Sequence, residues 1–403
     1  MSNAVKYSIV IPTRERHETL SFAIRSCLSI RRDDVEIVVC DNASSPETKQ
    51  VVDSIGGERL KYIRSEDRLN MADNWDLAMS MARGEFVTVL GDDDAVVAEV
   101  LDRIEVILRS CEVVTWFRTP YFWPKRKAPS NVLVYTTSEY ERVFNGSMSL
   151  EYVLRTFCNY QFYPSFYNSF ISKSTIAKIR LRHAGKLYPS GVLSPDVYSV
   201  LDVLATVDKY CLISTPFSLS GISRCSNGGG NRRELKRFIH EYGAKKVHAL
   251  YSDDRLPRYQ HISLGLLSDY LLFIAEEGCS CCEALIKSLV GNYVAKSKGQ
   301  LPRWVVRELL SHFKVEMADV VVDETDGIGS YLPAHRGVLV DGKKYGITDA
   351  CKAAAVYGQL MNGMLFVPMK TKTPRNRYWY GAKIRRIPIL GRMWARYRAW
   401  RKG

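Results

Sequence analysis

Three short polar stretches in the first hundred residues each follow an apolar, strand-like segment. They read TRER at 13–16, DNAS at 41–44 and GDDD at 91–94. In open α/β sheets, ligands bind beyond the carboxyl ends of the strands. We therefore expect the three stretches to meet at one edge of a sheet and to form the functional site.

The run Asp92-Asp93-Asp94 indicates a metal ion. Three adjacent carboxylates repel one another, and a divalent cation removes that penalty. Mg²⁺ or Mn²⁺ takes oxygen ligands and often binds through one or two carboxylates together with substrate phosphates. The alternative is a helix N-terminus, where the helix dipole favours an acid and Asp94 would be the cap. A cap needs only one acid, so the sequence favours the metal site.

The sequence lacks the motifs of several common enzyme classes. A dinucleotide-binding turn needs a glycine-rich loop after the first strand, and here that loop reads TRERHE. No GxxxxGK[ST], HExxH or GxSxG motif occurs. These absences argue against NAD-dependent oxidation, P-loop hydrolysis and esterase chemistry.

The elements that position these residues follow from apolar periodicity. Continuous apolar runs predict five buried strands, with amphipathic helices between them; the strands are Tyr7–Pro12, Val35–Cys40, Leu60–Arg64, Glu85–Leu90 and Val113–Phe117. This βαβ alternation predicts an α/β fold with a mostly parallel central sheet and helices on both of its faces.

Beyond about residue 230 the pattern becomes helical. Helices are predicted over 232–252, 259–276, 281–290, 303–315 and 350–360, and a hairpin over Val338–Ile347 that turns at Asp341-Gly342. We therefore divide the chain into an α/β catalytic domain over 1–228, a mainly helical C-terminal region over 229–369 and a basic aromatic tail over 370–403.

Composition and charge narrow the class of protein further. The 403 residues are 46% hydrophobic and 25% charged, which excludes a disordered chain. The net charge is +14, but twelve Lys and Arg residues and no acid lie in 370–403, so the rest of the chain is close to neutral. A near-neutral body excludes a general nucleic-acid binder, and we expect no nucleic-acid partner.

The tail predicts a short amphipathic helix that begins near Pro388. Its apolar face carries aromatic residues with arginines beside them, the composition of a helix that binds at a membrane interface: Leu390, Met393, Trp394, Tyr397 and Trp400. Such a segment predicts binding to an anionic membrane surface through 370–403. The alternative is a charged helix that packs its aromatic residues on its own domain.

No signal peptide or transmembrane helix is predicted. The apolar strand near the N-terminus is short, and no stretch approaches the roughly 18 apolar residues that a membrane span needs. The ten cysteines show no paired spacing and are expected to be reduced. We expect a cytoplasmic protein that lies at the inner face of the cell membrane.

Three sequence blocks resemble a known family. The runs SIVIPTRER, VEIVVCDNASSPET and NMADNWDLAMSMARGEFVTVLGDDDA are similar to glycosyltransferase family 2, the inverting sugar transferases of GT-A fold. The resemblance is dense over 7–95 and looser to about 225. It implies a GT-A fold, a nucleotide diphosphate sugar as donor and a glycan or lipid-linked acceptor, in bacterial surface polysaccharide synthesis such as capsule, O-antigen or exopolysaccharide.

The resemblance also implies roles for particular residues. Those expected to bind the donor are Pro12, Thr13, Glu15, Asp41, Asn70, Asn74, Arg83, Asp92 and Asp93. Asp41 would contact the base, and Asp92 and Asp94 would form the DxD pair that holds Mg²⁺ or Mn²⁺. One position departs from the pattern: many members have an aspartate where this chain has Gly91.

An inverting transfer also needs a general base for the acceptor hydroxyl. The family's base is usually an aspartate at a helix start, and the segment Ser194-Pro195-Asp196 is similar to it. Asp196 is therefore the predicted catalytic base, with Asp202 and Asp208 as alternatives. Asp196 has a purely structural explanation as well, since acids are common in the first turn after an N1 proline.

Two other classes of function stay open on sequence alone. A non-catalytic scaffold that binds nucleotide-sugar or membrane is compatible with Gly91. A nucleotidyltransferase is also α/β and metal-dependent, but it would need a glycine-rich first loop and a lysine for the triphosphate, and TRERHE supplies neither.

Overall fold

The computed structural model describes most of the α/β domain and part of the C-terminal region. The described residues are 4–124, 130–136, 140–157, 162–224, 226, 258–277, 282–297, 301, 303–316 and 337–362. The predicted helix at 232–252 and the tail 370–403 lie outside them.

Thirteen strands and eleven α-helices lie within these described residues. Those up to the fourth α-helix are, in order, β1 Tyr7–Thr13, α1 His17–Leu28, β2 Val35–Asp41, α2 Pro46–Ile55, β3 Leu60–Arg64, α3 Met71–Ser80, β4 Phe86–Val89, β5 Ala95–Val96 and α4 Leu101–Leu108. Then follow β6 Val113–Trp116, β7 Thr119–Phe122, β8 Val132–Thr136, β9 Glu141–Asn145, α5 Gly146–Thr156, β10 Ser169–Ser172, α6 Lys173–Arg182, α7 Pro195–Thr206, β11 Lys209–Ile213 and β12 Ser218–Ile222. The last are α8 Arg258–Glu277, α9 Cys282–Lys296, α10 Arg303–His312, β13 Gly337–Asp341 and α11 Ala350–Met361.

The main sheet has eight strands in the order β3-β2-β1-β4-β10-β6-β11-β9. Strands β3, β2, β1 and β4 are parallel, and β11 is parallel to β6. Strand β10 is antiparallel to both β4 and β6, and β9 is an antiparallel edge strand. The predicted mostly parallel sheet is therefore confirmed.

Helices cover both faces of this sheet because its strands are apolar on both sides. Ile9 and Ile11 pack into one core with α1, α4 and α11, while Val10 packs into the other core with α3, α7 and α8. This alternation explains why the strands are continuous apolar runs in the sequence. The described part of 229–369 thus packs onto both faces of the sheet rather than forming a separate layer.

A second, five-stranded sheet has the order β13-β8-β7-β12-β5. It shows that the hairpin predicted over Val338–Ile347 is wrong, because β13 pairs antiparallel with the distant strand β8. The residues after β13 form a turn held by Asn131, whose carbonyl accepts the Gly342 N–H (3.0 Å) and whose amide donates to the Ile347 carbonyl (3.0 Å). A partner that far away in sequence cannot be recognised from local turn residues.

No described helix is long and apolar enough to cross a membrane.

Candidate functional site

The polar stretches after β1, β2 and β4 meet at the carboxyl edge of the main sheet, as predicted. Thr13 donates a hydrogen bond from Oγ1 to Oδ2 of Asp92 (2.7 Å), and the Arg16 guanidinium pairs with Oδ1 of Asp92 (2.8 Å). The Glu15 N–H donates to Oγ of Ser44 after β2 (2.9 Å). Parallel strands β1, β2 and β4 bring these loops together because all three strands end at the same edge.

The three acids lie in a turn, not at a helix start. Strand β5 follows them directly, and the next helical turn begins only at Ala98, with Val97 at its N-cap. The alternative explanation of Asp94 as a helix cap is therefore wrong.

The three carboxylates face different partners. Asp92 faces Thr13 and Arg16 after β1. Asp93 accepts from the hydroxyls of Ser223 (2.6 Å) and Ser226 (2.5 Å). Asp93 therefore anchors the segment after β12. This contact differs from the donor binding predicted for Asp93.

Two backbone N–H groups bind the carboxylate of Asp94. Its Oδ1 accepts the Gly221 N–H (2.7 Å) and its Oδ2 accepts the Gly91 N–H (3.2 Å). The Tyr167 hydroxyl also hydrogen-bonds to this carboxyl. A Cβ on Gly91 would lie 2.5 Å from that hydroxyl and 2.8 Å from Asp94 Oδ2. Tyr167 thus occupies the space into which a side chain at position 91 would project.

Burial outweighs the nearby arginines in setting the pKa values of Asp92 and Asp94. Burial, followed by the neighbouring Asp93, raises the pKa of Asp94 to about 7. Burial also raises the pKa of Asp92, although the Arg16 guanidinium opposes it. A buried carboxylate whose pKa rises in this way is stabilised by an added cation.

Asp92 and Asp94 therefore fit a divalent metal in donor type and in charge. Among the residues that the structure describes, no group of three or more His, Cys, Asp or Glu could hold a metal ion. A cation here would thus depend on one or two carboxylates and on substrate oxygens, which is a common arrangement for Mg²⁺.

Asp41 ends β2 and is 1% exposed. It accepts hydrogen bonds from the Tyr62 hydroxyl (2.6 Å) and the Ser44 N–H (3.0 Å). The Arg64 guanidinium lies 3.5 Å away. Asp41 lies at the predicted edge, within a network that orients its carboxylate.

Pro12 and Glu15 lie at the same edge. Pro12 is half-buried near the end of β1. Glu15 has a positive φ of 56°, and its carboxylate accepts from the N–H (3.0 Å) and the hydroxyl (2.9 Å) of Ser45. The strained turn at Glu15 joins the loops after β1 and β2.

Asn70 and Asn74 lie at the start of α3. Asn70 caps this helix by accepting the Asp73 N–H (2.7 Å). Asn74 is 4% exposed, and its Oδ1 lies 3.4 Å from Sγ of Cys40. Asn70 thus has a structural role at the edge, and Asn74 faces the core.

Arg83 lies at the opposite edge of the sheet and needs correction as a donor-binding residue. It precedes β4, and parallel pairing places the start of β4 beside Tyr7 at the start of β1. Both its backbone N–H (2.6 Å) and its Nε (3.0 Å) donate to Glu36. Arg83 precedes β4 and the three acids follow it, so the length of this strand lies between them.

Asp196 lies in the first turn of α7, whose start is held near the end of β4. The Phe166 N–H donates to Oγ of Ser199 on α7 (3.3 Å), and the Phe166 carbonyl accepts the Val89 N–H (2.7 Å). Burial raises the pKa of the Asp196 carboxyl, while the Arg118 guanidinium lowers it. Asp196 therefore lies on the same side of the sheet as the acid turn.

The two alternative bases lie elsewhere. Asp202 is fully buried, and both its oxygens lie about 3 Å from Nε2 of His183. Asp208 is exposed just before β11, at the amino edge of the sheet.

Arg118 and Tyr167 lie at the site although neither was predicted from the sequence. The Arg118 guanidinium lies 3.8 Å from the Tyr167 ring centroid and influences the pKa of both Asp94 and Asp196. Arg118 follows strand β6, so the rule that ligands bind beyond strand ends would have found it. Tyr167 precedes a strand that was not predicted, and no local pattern marks it.

Part of the chain matches a known family. Residues 8–155 match the family model "Glycosyl transferase family 2". The GalNAc(5)-diNAcBac-PP-undecaprenol beta-1,3-glucosyltransferase of Campylobacter jejuni is 34% identical over 102 residues, which are 25% of this chain and 33% of that protein. The UDP-Glc:alpha-D-GlcNAc-diphosphoundecaprenol beta-1,3-glucosyltransferase WfgD of Escherichia coli is 30% identical over 104 residues, which are 26% of this chain and 41% of that protein.

This chain therefore spans only about a third to two fifths of these curated relatives. Among solved structures, S. aureus TarS 1-349 in complex with UDP-GlcNAc aligns with a TM-score of 0.49 and 15% identity, over 80% of this chain and 95% of that one.

The resemblance seen in the sequence is confirmed by the family match and by the curated relatives. The predicted GT-A architecture, a mostly parallel α/β sheet with a helical C-terminal region, agrees with the observed fold. Residues 8–155 therefore match glycosyltransferase family 2 in sequence, within the α/β domain.

Proposed function

We propose that this protein is a metal-dependent, inverting glycosyltransferase that moves a sugar from a nucleotide diphosphate sugar to a hydroxyl of a lipid-linked glycan in bacterial surface polysaccharide synthesis. One observation supports the proposal most strongly. Thr13, the acid turn Asp92-Asp93-Asp94 and Arg118 meet at one edge of the sheet, and Asp196 lies nearby. Two curated relatives are named as glucosyltransferases of undecaprenol-linked sugars, which supports this choice of acceptor.

The donor's nucleoside would bind at the ends of β1 and β2. Asp41 and Glu15 are held there by hydrogen bonds from Tyr62 and Ser45, so both carboxylates are oriented before any ligand arrives. Preorganised polar groups reduce the entropy lost on binding. WfgD carries UDP-Glc in its name, so UDP donors are the first to test.

The donor's diphosphate would lie against the acid turn. Asp92 and Asp94 would hold Mg²⁺ or Mn²⁺, and a cation bound there would neutralise the charge of the departing diphosphate. Arg16 and Arg118 flank these two acids and add positive charge on the same side.

Asp196 would act as the general base. The acceptor oxygen forms a bond to the anomeric carbon, the bond from that carbon to the diphosphate oxygen breaks with its electron pair, and the acceptor proton goes to the Asp196 carboxylate. Burial raises the pKa of Asp196, and a base with a raised pKa removes a proton more readily near neutral pH.

We also propose that the protein works at the cytoplasmic face of the cell membrane. Lipid-linked acceptors lie in a bilayer, and the basic aromatic segment 370–403 has the composition of a segment that binds anionic lipid. Loss of vesicle binding on deletion of 370–403 would support this, and unchanged pelleting with anionic vesicles would overturn it.

The first experiment compares melting temperatures with UDP, dTDP, GDP, CDP and CMP, each with and without Mn²⁺. A ligand that binds only the folded state raises the melting temperature by mass action. We expect one diphosphate to stabilise the protein, and to do so only with metal. If no nucleotide shifts the melting temperature, the non-catalytic scaffold becomes the better explanation.

The second experiment measures turnover with the matching nucleotide-sugar and a diphospholipid-linked sugar. Nucleoside diphosphate and a product of inverted anomeric configuration, read by NMR, are expected. A product of retained configuration would contradict the mechanism, and release of pyrophosphate would indicate a nucleotidyltransferase.

A further inference from the structure

A buried carboxylate from the helical region holds the backbone just before the predicted base. Asp269, in the middle of α8, has no solvent exposure. Its Oδ1 accepts the Leu193 N–H (2.9 Å) and its Oδ2 accepts the Ser194 N–H (2.8 Å). These two residues immediately precede Pro195, the first residue of α7, and Asp196 follows.

The start of α7 needs this outside partner. The first N–H groups of a helix have no acceptor within it, and Pro195 has no N–H at all. Ser194 stands at the N-cap, but its side chain makes no capping hydrogen bond within α7. Buried N–H groups left unpaired are costly, so the two bonds to Asp269 determine where this turn lies.

Asp269 is itself held rigidly. Its neighbours Tyr270, Phe273 and Ile274 on α8 are 1% exposed and pack in the same core as α7. The rings of Phe273 and Tyr198 meet edge to face, with centroids 5.9 Å apart. A functional group supported by packed helices keeps its geometry better than one supported by a loop.

The two carboxyl groups also influence each other electrostatically. Burial is the main cause that raises the pKa of Asp269 to about 8, and the charge of Asp196 adds to it. The Leu193 and Ser194 N–H groups oppose this rise. Such an interaction is consistent with the two side chains facing the same turn.

We propose that Asp269 is a positioning residue for Asp196: by binding the Leu193 and Ser194 N–H groups, it sets the place of the α7 start from which Asp196 reaches the acceptor. This inference rests on the proposed glycosyl transfer. It gives α8, which lies beyond the family match at 8–155, a positioning role for the predicted base.

The first test is the kinetics of Asp269→Asn in the full chain. An asparagine has one acceptor oxygen, so one of the two N–H groups loses its partner and the turn shifts. A displacement of about 1 Å costs roughly a hundredfold in rate, so we expect kcat per nucleotide-binding site to fall about tenfold to a hundredfold with the donor KM unchanged. A wild-type kcat would overturn the proposal.

Glu36→Gln is the matched control. Glu36 is also a buried carboxylate that accepts a backbone N–H, from Arg83, but at the opposite edge of the sheet. It should lower stability without changing kcat per binding site. An equal kcat loss in both variants would show a general effect of destabilisation and would contradict a specific role for Asp269.

A double-mutant comparison separates positioning from folding. If Asp269 acts through Asp196, Asp269→Asn should cost nothing further in an Asp196→Asn background, because residues that act as a unit are not additive. A merely structural role would lower the residual activity by the same factor as in the wild-type background.

Hydrogen exchange tests the contact without any turnover. The Leu193 and Ser194 amides should exchange slowly in the wild type and much faster in Asp269→Asn, and unchanged protection would overturn the proposal.

If the wild type transfers no sugar, the proposed function fails, but hydrogen exchange still tests the contact between Asp269 and the two amides. If Asp269→Asn does not fold, Asp269→Glu keeps the carboxylate but displaces it by one methylene, and a wild-type kcat there would overturn the proposal.

Discussion

The Tyr167 hydroxyl lies where a side chain at position 91 would project, 2.5 Å from the place of a Cβ on Gly91. The same hydroxyl hydrogen-bonds to Asp94, so the glycine and the tyrosine together determine how the acid turn is built. A side chain at position 91 would therefore collide with Tyr167, which gives a steric reason for glycine at this position.

Gly91→Ala should destabilise the protein. The added methyl group meets the Tyr167 hydroxyl and the Asp94 carboxylate, and overpacking of this kind costs about 1–3 kcal/mol. Thermal denaturation measures the loss. Tyr167→Phe removes the closest clashing atom, so Gly91→Ala should cost less in that background; an equal cost in both would show that Tyr167 does not determine the choice of glycine.

Asp94→Asn should abolish the metal-dependent part of nucleotide binding and also lower the melting temperature, because one of the two backbone N–H groups that it binds loses its acceptor. The asparagine oxygen can still accept the Gly221 N–H, but it lacks the charge that a divalent cation needs. Titration calorimetry with the stabilising diphosphate, with and without Mn²⁺, measures this. Metal-dependent binding that survives in Asp94→Asn would place the cation on other residues.

Asp196→Asn should lower kcat by about 10²- to 10⁴-fold, because general bases contribute rate factors of that size. Donor binding should be unchanged. Asp202→Asn is a suitable comparison: Asp202 lies on the same helix but is fully buried against His183, so its loss should lower the melting temperature and leave kcat per binding site near the wild-type value. The reverse pattern would identify Asp202 as the base.

The pH dependence of kcat should report Asp196. The base works when it is deprotonated, so activity falls as pH falls through its pKa. Burial raises this pKa, and therefore the acid limb should lie above the ordinary aspartate value of about 3.9.

Arg118→Gln removes the positive charge that lowers the pKa of Asp196, so it should move this limb to higher pH. Arg118→Lys keeps the charge and should move the limb less. A limb that stays in place in Arg118→Gln would contradict the assignment of Asp196 as the titrating group.

Local sequence patterns were enough to predict the central strands and the loops that follow them. Strands β1 and β2 are buried on both faces, and a continuous apolar run is the pattern that such burial requires. The residues directly after such strands must lie at the carboxyl edge of the sheet, so the contact between Thr13 and Asp92 was predictable. The helix start at Pro195 was predictable for a similar reason, since proline favours the first turn.

Only the tertiary structure decided which distant residues complete the site. Arg83 lies close in sequence to the acid turn, yet it binds Glu36 at the far edge because a strand separates the two. Strand β13 pairs with β8 across some two hundred residues instead of forming a local hairpin. Strand order and helix packing bring Tyr167 to the acid turn and Asp269 to the start of α7. Both depend on contacts between residues far apart in the chain and leave no periodic signal in the sequence.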